Sequence, residues 1–331
     1  MTSLVLAAAL AAGAAVPAEP EALLIAVGDI RLDGPVGRAL ERYGPLAPTE
    51  GVRPWLKGDI VLGNLEEPVT ARGKPVLKLW TFRAKPDQLR TLTSGGFTLL
   101  NLANNHLGDF GERGVLDTVA ALDRAGLRHT GAGRDAEEAR RPVFIEANGL
   151  KVGFLSMTSA LPEFIWAGRR KAGVAYSDFD RLAGWVREAK ASCDVLVVSF
   201  HGGTEKADAP NEVQRSFGRA AADAGADLVV AHHPHVLQAV ELRGRVPILH
   251  SLGNFLFVSP TPVTRLGVIA RVRLARGGVR SVEFVPVDTW TEGRLRPWFE
   301  ASDAAFKALD ADGALSAHPG LFRVLKSPSE R

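Results

Sequence analysis

Asn101, Asn104, Asn105, His106 and Asp109 put three amides, an imidazole and a carboxylate within nine positions. They follow the apolar run Phe97-Thr98-Leu99-Leu100. A strand there would deliver polar side chains to its C-terminal end, where open α/β sheets build their sites. An amide oxygen can ligate a hard metal ion, and the imidazole beside it can move a proton. Residues of the same chemistry recur along the chain. Six of the eight histidines fall in or beside such positions: His106, His201, His232, His233, His235 and His250. The acids are Asp29 in Gly28-Asp29, Glu66 in Asn64-Leu65-Glu66, and Glu205 in His201-Gly202-Gly203-Thr204-Glu205. In an extended chain His233 and His235 point to one side and His232 to the other, which gives His232 a supporting role. Asp33 and Glu67 read as a helix cap or surface ion pairs.

Carboxylates, amides and imidazoles without thiolates suit Mn, Fe or Zn. Two divalent ions about 3.5–4 Å apart need a bridging carboxylate and ligands from several strands, and the chain has that inventory. It has one cysteine, Cys193, inside an apolar run, so an internal disulfide and a thiolate cluster are both excluded. Neither a Walker phosphate loop nor a Gly-x-Ser-x-Gly elbow occurs, which disfavours a serine hydrolase. Gly131-Ala132-Gly133 has no third glycine, and the segment reads as a loop with Asp135 capping the next helix.

These residues must be positioned by the apolar runs before them. Leu23–Val27, Asp59–Leu62, Phe97–Leu102, Asp194–Phe200, Leu228–Ala231 and Pro247–His250 read as strands, each ending in polar or ionisable residues. Gly114–Ala125, Asp180–Ala191 and Asn211–Gly225 read as helices between them. The alternation predicts a layered α/β sheet with helices on both faces. Two hairpins interrupt it. Pro142–Leu155 turns at Asn148-Gly149, the preferred type I′ pair. Gly267–Val287 turns at Gly277-Gly278 and reads as a closing β layer, followed from Trp290 by a short helical tail.

The chain has 331 residues, 40 basic against 37 acidic, and no dense Lys/Arg stripe, so a nucleic-acid partner is not indicated. Leu4–Val16 has the length of a signal-peptide core and is too short to span a bilayer. Val16-Pro17-Ala18 offers small residues for cleavage, although Met1–Pro20 lacks Lys and Arg. Residues 1–20 are therefore expected to be a signal peptide of an exported, periplasmic or cell-surface protein. A cytoplasmic protein with an Ala-rich tail is the alternative.

Gly28-Asp29, Asn64-Leu65-Glu66, Ala103-Asn104-Asn105-His106 with Asp109 and Gly111, His201-x-Gly203-x-Glu205, His233-Pro234-His235-Val236 and Ser251-Leu252-Gly253-Asn254-Phe255 occur in the order seen in CapA-type proteins. From about Leu23 to Phe257 the chain resembles these poly-γ-glutamate capsule biosynthesis proteins, a branch similar to the calcineurin-like metallophosphoesterases. The resemblance implies an α/β fold: a four-layer αββα sandwich over residues 21–260, completed by a hairpin and tail over 261–331, with two divalent ions between the sheets. It implies metal ligation by Asp29, Glu66 as bridge, Asn105, His201, His233 and His235. His106 becomes the general acid, oriented by Asp109, and Asn64, Glu205, His232 and Asn254 become supporting or substrate contacts. There are departures. The first motif is Asp29-x-Arg31, where the wider superfamily has Asp-x-His. This removes one ligand, leaves a single ion as an alternative to two, and makes Arg31 a candidate fixed charge near developing anionic charge. Gly202 stands where an aromatic residue is common, and His250 where Tyr is.

The expected function is that of a metal-dependent hydrolase or transferase acting on an anionic polymer or a phosphoester. The alternative is a non-catalytic metal- or polymer-binding protein of capsule assembly or export, with activity residing in membrane capsule-synthesis partners. Trp166-Ala167-Gly168-Arg169-Arg170-Lys171 reads as a basic lid over an anionic substrate or as a solvated loop.

Overall fold

The computed structural model describes residues 19–330, so the expected signal peptide lies almost wholly outside the described residues. The first strands are β1 (Glu21–Ile30), β2 (Ile60–Leu65), β3 (Leu99–Asn101) and β4 (Arg128–Thr130). They run parallel, joined by α1 (Gly34–Tyr43), α2 (Arg90–Gly95) and α3 (Gly111–Arg124). A second set follows: β5 (Val143–Ala147), β6 (Leu150–Thr158), β7 (Val195–His201), β8 (Leu228–His232), β9 (Leu237–Arg243) and β10 (Val246–Leu252). Its crossover helices are α4 (Phe179–Lys190) and α5 (Glu212–Asp223). The order in this sheet is β9-β10-β8-β7-β6-β5.

Both faces of β1 are buried, and alternate residues go to different cores. Leu24 and Ala26 join Val152, Phe154, Val195 and Val230 of the other sheet in a core between the sheets. Ile25, Val27 and Ile30 face outward, packing with Val36, Leu92 and Leu122 of the first three helices. The second sheet does the same, with Leu196 and Val198 packed against Leu182, Val186 and Phe217. The layers are therefore helix, sheet, sheet, helix. Each sheet carries helices on one face only, which corrects the single sheet covered on both faces that the alternation suggested. Strands buried on both sides lose period-2 patterning, so sequence pattern cannot tell a helix-covered face from a sheet-covered one.

The hairpin β11 (Leu266–Ala275) and β12 (Gly278–Asp288) adds no further layer. β11 pairs antiparallel with β1 and extends the first sheet. Its turn is Arg276-Gly277, one residue earlier than the sequence suggested, because Ala275 pairs with Gly278. Asn148-Gly149 does form the β5–β6 turn, with φ of 49° and 81°. The tail is α6 (Ser302–Leu309), which packs Ala305 and Leu309 into the edge of the inter-sheet core, and β13 (Phe322–Val324), parallel to β12. Among the described residues no helix is long and apolar enough to cross a membrane.

After β10 the chain crosses to the first sheet. Asp29 N donates to Gly253 O at 3.1 Å, and Phe255 N donates to Asp29 O at 2.8 Å. A Cβ at position 28 would fall on the carbonyl oxygen of Gly253, so only glycine permits this approach. The junction brings the C-terminal ends of both sheets together.

Candidate functional site

Every motif-bearing strand ends at this junction. Asp29 comes from β1, Glu66 follows β2, and Asn105 and His106 follow β3. His201 ends β7, His232 to His235 leave β8, and Asn254 follows β10. Asp29 Oδ1 accepts from Asn64 Nδ2 at 2.8 Å, and its Oδ2 lies 3.1 Å from His235 Nδ1. Asn254 Oδ1 is 2.9 Å from the same Nδ1, so Asp29 and Asn254 fix that ring. His201 stands between Asn64 Nδ2, 3.2 Å from its Nδ1, and Asn105 Oδ1, 3.0 Å from its Nε2.

Glu66 lies at the centre. Its Oε1 is 3.4 Å from His201 Nε2 and 3.8 Å from His235 Nε2, and both its oxygens are buried without a hydrogen-bond partner. A fully buried carboxylate left this way is costly unless a cation completes it. Three groups bring ligand atoms within 4.8 Å of one another: Asp29-Glu66-His235, Glu66-His201-His233 and Glu205-His233-His235. The first two share Glu66. Asn105 reaches the second through its contact with His201. The residues present thus fit one or two divalent ions held by oxygen and imidazole donors.

The electrostatics carry the same signature. Burial, reinforced by Asp29, pushes the Glu66 carboxyl well above its usual range. Burial opposes protonation of His235, but Glu66 and Asp29 outweigh it and raise the ring to about 10. Burial and the His235 charge lower His233 to about 4. His201 is pushed well below its usual value by burial and the neighbouring imidazoles, and His232 is lowered by burial. The cluster therefore holds a proton on His235 at neutral pH, and a cation bound there would displace it.

His233 and His235 are not in an extended segment. Their φ values are 103° and 60°, and this left-handed backbone, not strand alternation, turns both imidazoles into the cluster. Such positions cost on the order of 1–3 kcal/mol each in non-glycine residues. His232 is buried with both ring nitrogens unpartnered, 3.6 Å from Asp29 Oδ1. Asn104 is a turn residue, its Oδ1 accepting from His106 N and Leu107 N. His250 stays outside the cluster, on β10, 3.3 Å from Glu241.

His106 Nδ1 is bonded to Asp109 Oδ2 at 2.7 Å, the pairing that the resemblance implies. Sequence reading missed its two other partners. Lys78 Nζ donates to Asp109 Oδ1 at 2.7 Å and to Asn105 O at 2.8 Å, and lies 3.2 Å from His106 Nδ1. The Phe82 ring stacks on His106 at 4.2 Å. Both come from the irregular stretch between β2 and α2, which has no periodicity to flag them. Burial lowers the His106 pKa, and the Lys78 charge adds to this against Asp109. At neutral pH His106 is therefore a neutral imidazole with Nδ1–H on Asp109.

Arg31 is displaced from the role the sequence suggested. Its guanidinium pairs with Asp33 and lies 4.1 Å from the Phe82 centroid, so an aromatic ring separates it from His106. Glu67 is a buried carboxylate accepting from Leu32 N, not a cap or a surface pair. Trp166 stacks on Tyr176 at 4.0 Å, while Gly168 O accepts from Ala136 N. Arg169, Arg170 and Lys171 do not line the cleft beside the cluster. That cleft, about 580 Å³, opens over Asn105, His233 and Glu205. Cys193 is half-buried, its Sγ 3.4 Å from Ala189 O, and burial raises its pKa, as for an inert thiol.

Residues 23–259 match the family described as bacterial capsule synthesis protein PGA_cap. The capsule biosynthesis protein CapA of Bacillus anthracis is 34% identical over 286 residues, which is 84% of this chain and 69% of that protein. The PGA biosynthesis protein CapA of Bacillus subtilis (strain 168) is 33% identical over 266 residues, 79% of this chain and 70% of the relative. Among solved structures, a phosphatase from Mycoplasma pneumoniae superposes with a TM-score of 0.53 at 13% identity, covering 82% of this chain and 94% of that one, a likeness of fold.

Proposed function

The chain belongs to the bacterial capsule synthesis protein family and has a metallophosphoesterase-like fold, and from that premise we propose that it serves capsular polymer synthesis as a metal-dependent hydrolase or transferase acting on an anionic polymer or phosphoester. The observation that carries this reading is Glu66, buried with both oxygens unpartnered between two groups of ligand atoms. Asp29, Glu66 and His235 would hold one ion, and Glu66, Asn105, His201 and His233 a second. Bound divalent cations, Mn, Fe or Zn on this donor set, would polarise the scissile group and lower the pKa of attacking water. Asn64 and Asn254 orient Asp29 and His235. Lys78 and Asp109 fix the His106 ring, leaving Nε2 to exchange a proton with the substrate. An anionic ester beside His106 raises its proton affinity, and the imidazolium so formed protonates the leaving oxygen. The apolar run Leu4–Val16 supports placing this activity outside the cytoplasm, which fractionation of cells producing the full chain would check.

The test compares the wild-type chain with Glu66→Gln in the presence of Mn²⁺. With the ion at 100 times its dissociation constant, the wild type should gain about 2.7 kcal/mol, or about 4 °C for a chain of this length. Glu66→Gln should gain under 1 °C, and should lose at least a hundredfold in turnover when both are screened against phosphoesters and γ-glutamyl peptides. An equal thermal gain in both proteins would remove the metal from this site. Intact capsule production by cells carrying His106→Ala would favour a binding protein over an enzyme.

A further inference from the structure

The cleft over the cluster is unlike a polyanion groove. Among its described lining residues there is no Lys or Arg, and its one charged side chain apart from the histidine is Glu205. One wall is apolar: Leu161, Tyr176, Phe179 and Val213 are 65%, 39%, 40% and 43% exposed. Two of these rings are held from behind. Tyr176 stacks on Trp166 at 4.0 Å, and Phe179 meets Phe217 edge-on at 6.0 Å. A pre-positioned apolar wall gives up little conformational entropy when covered, and each square ångström removed from water stabilises a complex. Water is a poor partner for these side chains, and a carboxylate polymer gains nothing along this wall, where Glu205 repels it and no Lys or Arg stands among the described lining residues.

We propose that the substrate is a phosphate ester whose alcohol portion is uncharged and apolar, an aryl group or a hydrocarbon chain, laid along this wall while the phosphoryl group faces Asn105 and His233. This rests on the metal-dependent reading above and narrows its substrate class. In the reaction a water oxygen bonds to phosphorus. The phosphorus–oxygen bond to the alcohol breaks with its electron pair going to the alcohol oxygen, which takes its proton from the His106 imidazolium, and the proton lost by water passes to solvent, from which His106 is recharged.

The experiment uses the full chain loaded with Mn²⁺ and two matched ester pairs, so that leaving-group reactivity is nearly constant within each: octyl against methyl phosphate, and 2-naphthyl against phenyl phosphate. The larger ester of at least one pair should show kcat/KM at least tenfold higher, and the pair that responds identifies a chain or an aryl group as the occupant. Leu161→Ser with Phe179→Ser should reduce the ratio to about twofold, while thermal unfolding stays cooperative and the melting temperature falls only by the small amount that losing the Phe179–Phe217 contact implies. Ratios below twofold in both pairs, with ordinary turnover of the small esters, overturn the apolar-substrate proposal and leave the metal-dependent reading standing. Preference for γ-glutamyl peptides over all four esters does the same. Absence of hydrolysis of every compound overturns both.

Discussion

Replacing Lys78 with Met removes the largely buried ammonium beside the Asn-His segment and keeps its aliphatic length. Lys78 is 14% exposed and Asp109 fully buried, so their 2.7 Å pair is screened little by solvent. Deleting one partner of a buried pair costs about 3–5 kcal/mol, because the other charge is stranded. Asp109 keeps two donors, Phe82 N at 2.8 Å and His106, which places the loss near the lower end, about 3 kcal/mol. With an unfolding entropy of about 2.1 cal/mol/K per residue, a chain this long loses about 1.5 °C per kcal/mol, so Lys78→Met should melt about 4 °C lower. The pair, and not the side chain's bulk, is isolated by a double-mutant cycle with Asp109→Asn. The double variant strands no charge and should be at least 1.5 kcal/mol more stable than the sum of the two single changes implies. His106 gives an independent signal. Lys78 helps hold its pKa down, so the ring's NMR titration should move to higher pH in Lys78→Met. Additive effects in the cycle together with an unmoved His106 titration would refute the reasoning.

Gly28→Ala should abolish soluble folded protein or lower the melting temperature by more than 10 °C in thermal unfolding, since its methyl would meet the Gly253 carbonyl at the crossing between sheets. Asp288 provides a pH prediction. Burial opposes its charge, but Arg265, Trp290 N and Arg296 hold its pKa down at about 2, against 3.8 ordinarily. A lowered folded-state pKa gives stability that is fully present above about pH 4 and lost as pH falls toward 2. The contribution is about 2 kcal/mol. Urea midpoints should therefore separate wild type from Asp288→Asn at pH 6, and the gap should close by pH 2.

The strand ends were readable because histidines, amides and acids follow six apolar runs in one chain; any one of them could be a turn or cap residue, and the repetition is what points to a site. Asp29, Glu66, His201, His233 and His235 do converge, and Asn105 joins them through His201. His233 and His235 meet there for a reason other than strand alternation: their backbone is left-handed, a state that no sequence pattern around His-Pro-His announces. Lys78 and Phe82 were invisible for a different reason. They arrive on an irregular segment whose position is set by tertiary contacts, and a lone Lys between leucines resembles a surface residue. Arg31 shows the opposite failure: its place in the motif suggested a charge at the centre, while Asp33, two residues on, and Phe82 take its guanidinium. The split into two sheets was also hidden, because β1 is apolar on both faces whichever layer covers it.

Asp29, Glu66, Asn105 and His106 stand on one sheet, and His201, His233 and His235 on the other. Neither half of the chain can assemble the cluster alone. The site is in effect a two-key lock, turned only when both sheets are complete and docked in register, and the first sheet is complete only once β11 has paired with β1. Sheets docked one residue out of register would leave the ligand atoms apart. Loading with metal would therefore proofread the finished architecture, and two co-expressed fragments broken in the 134–142 connection could be scored for complementation by metal uptake alone.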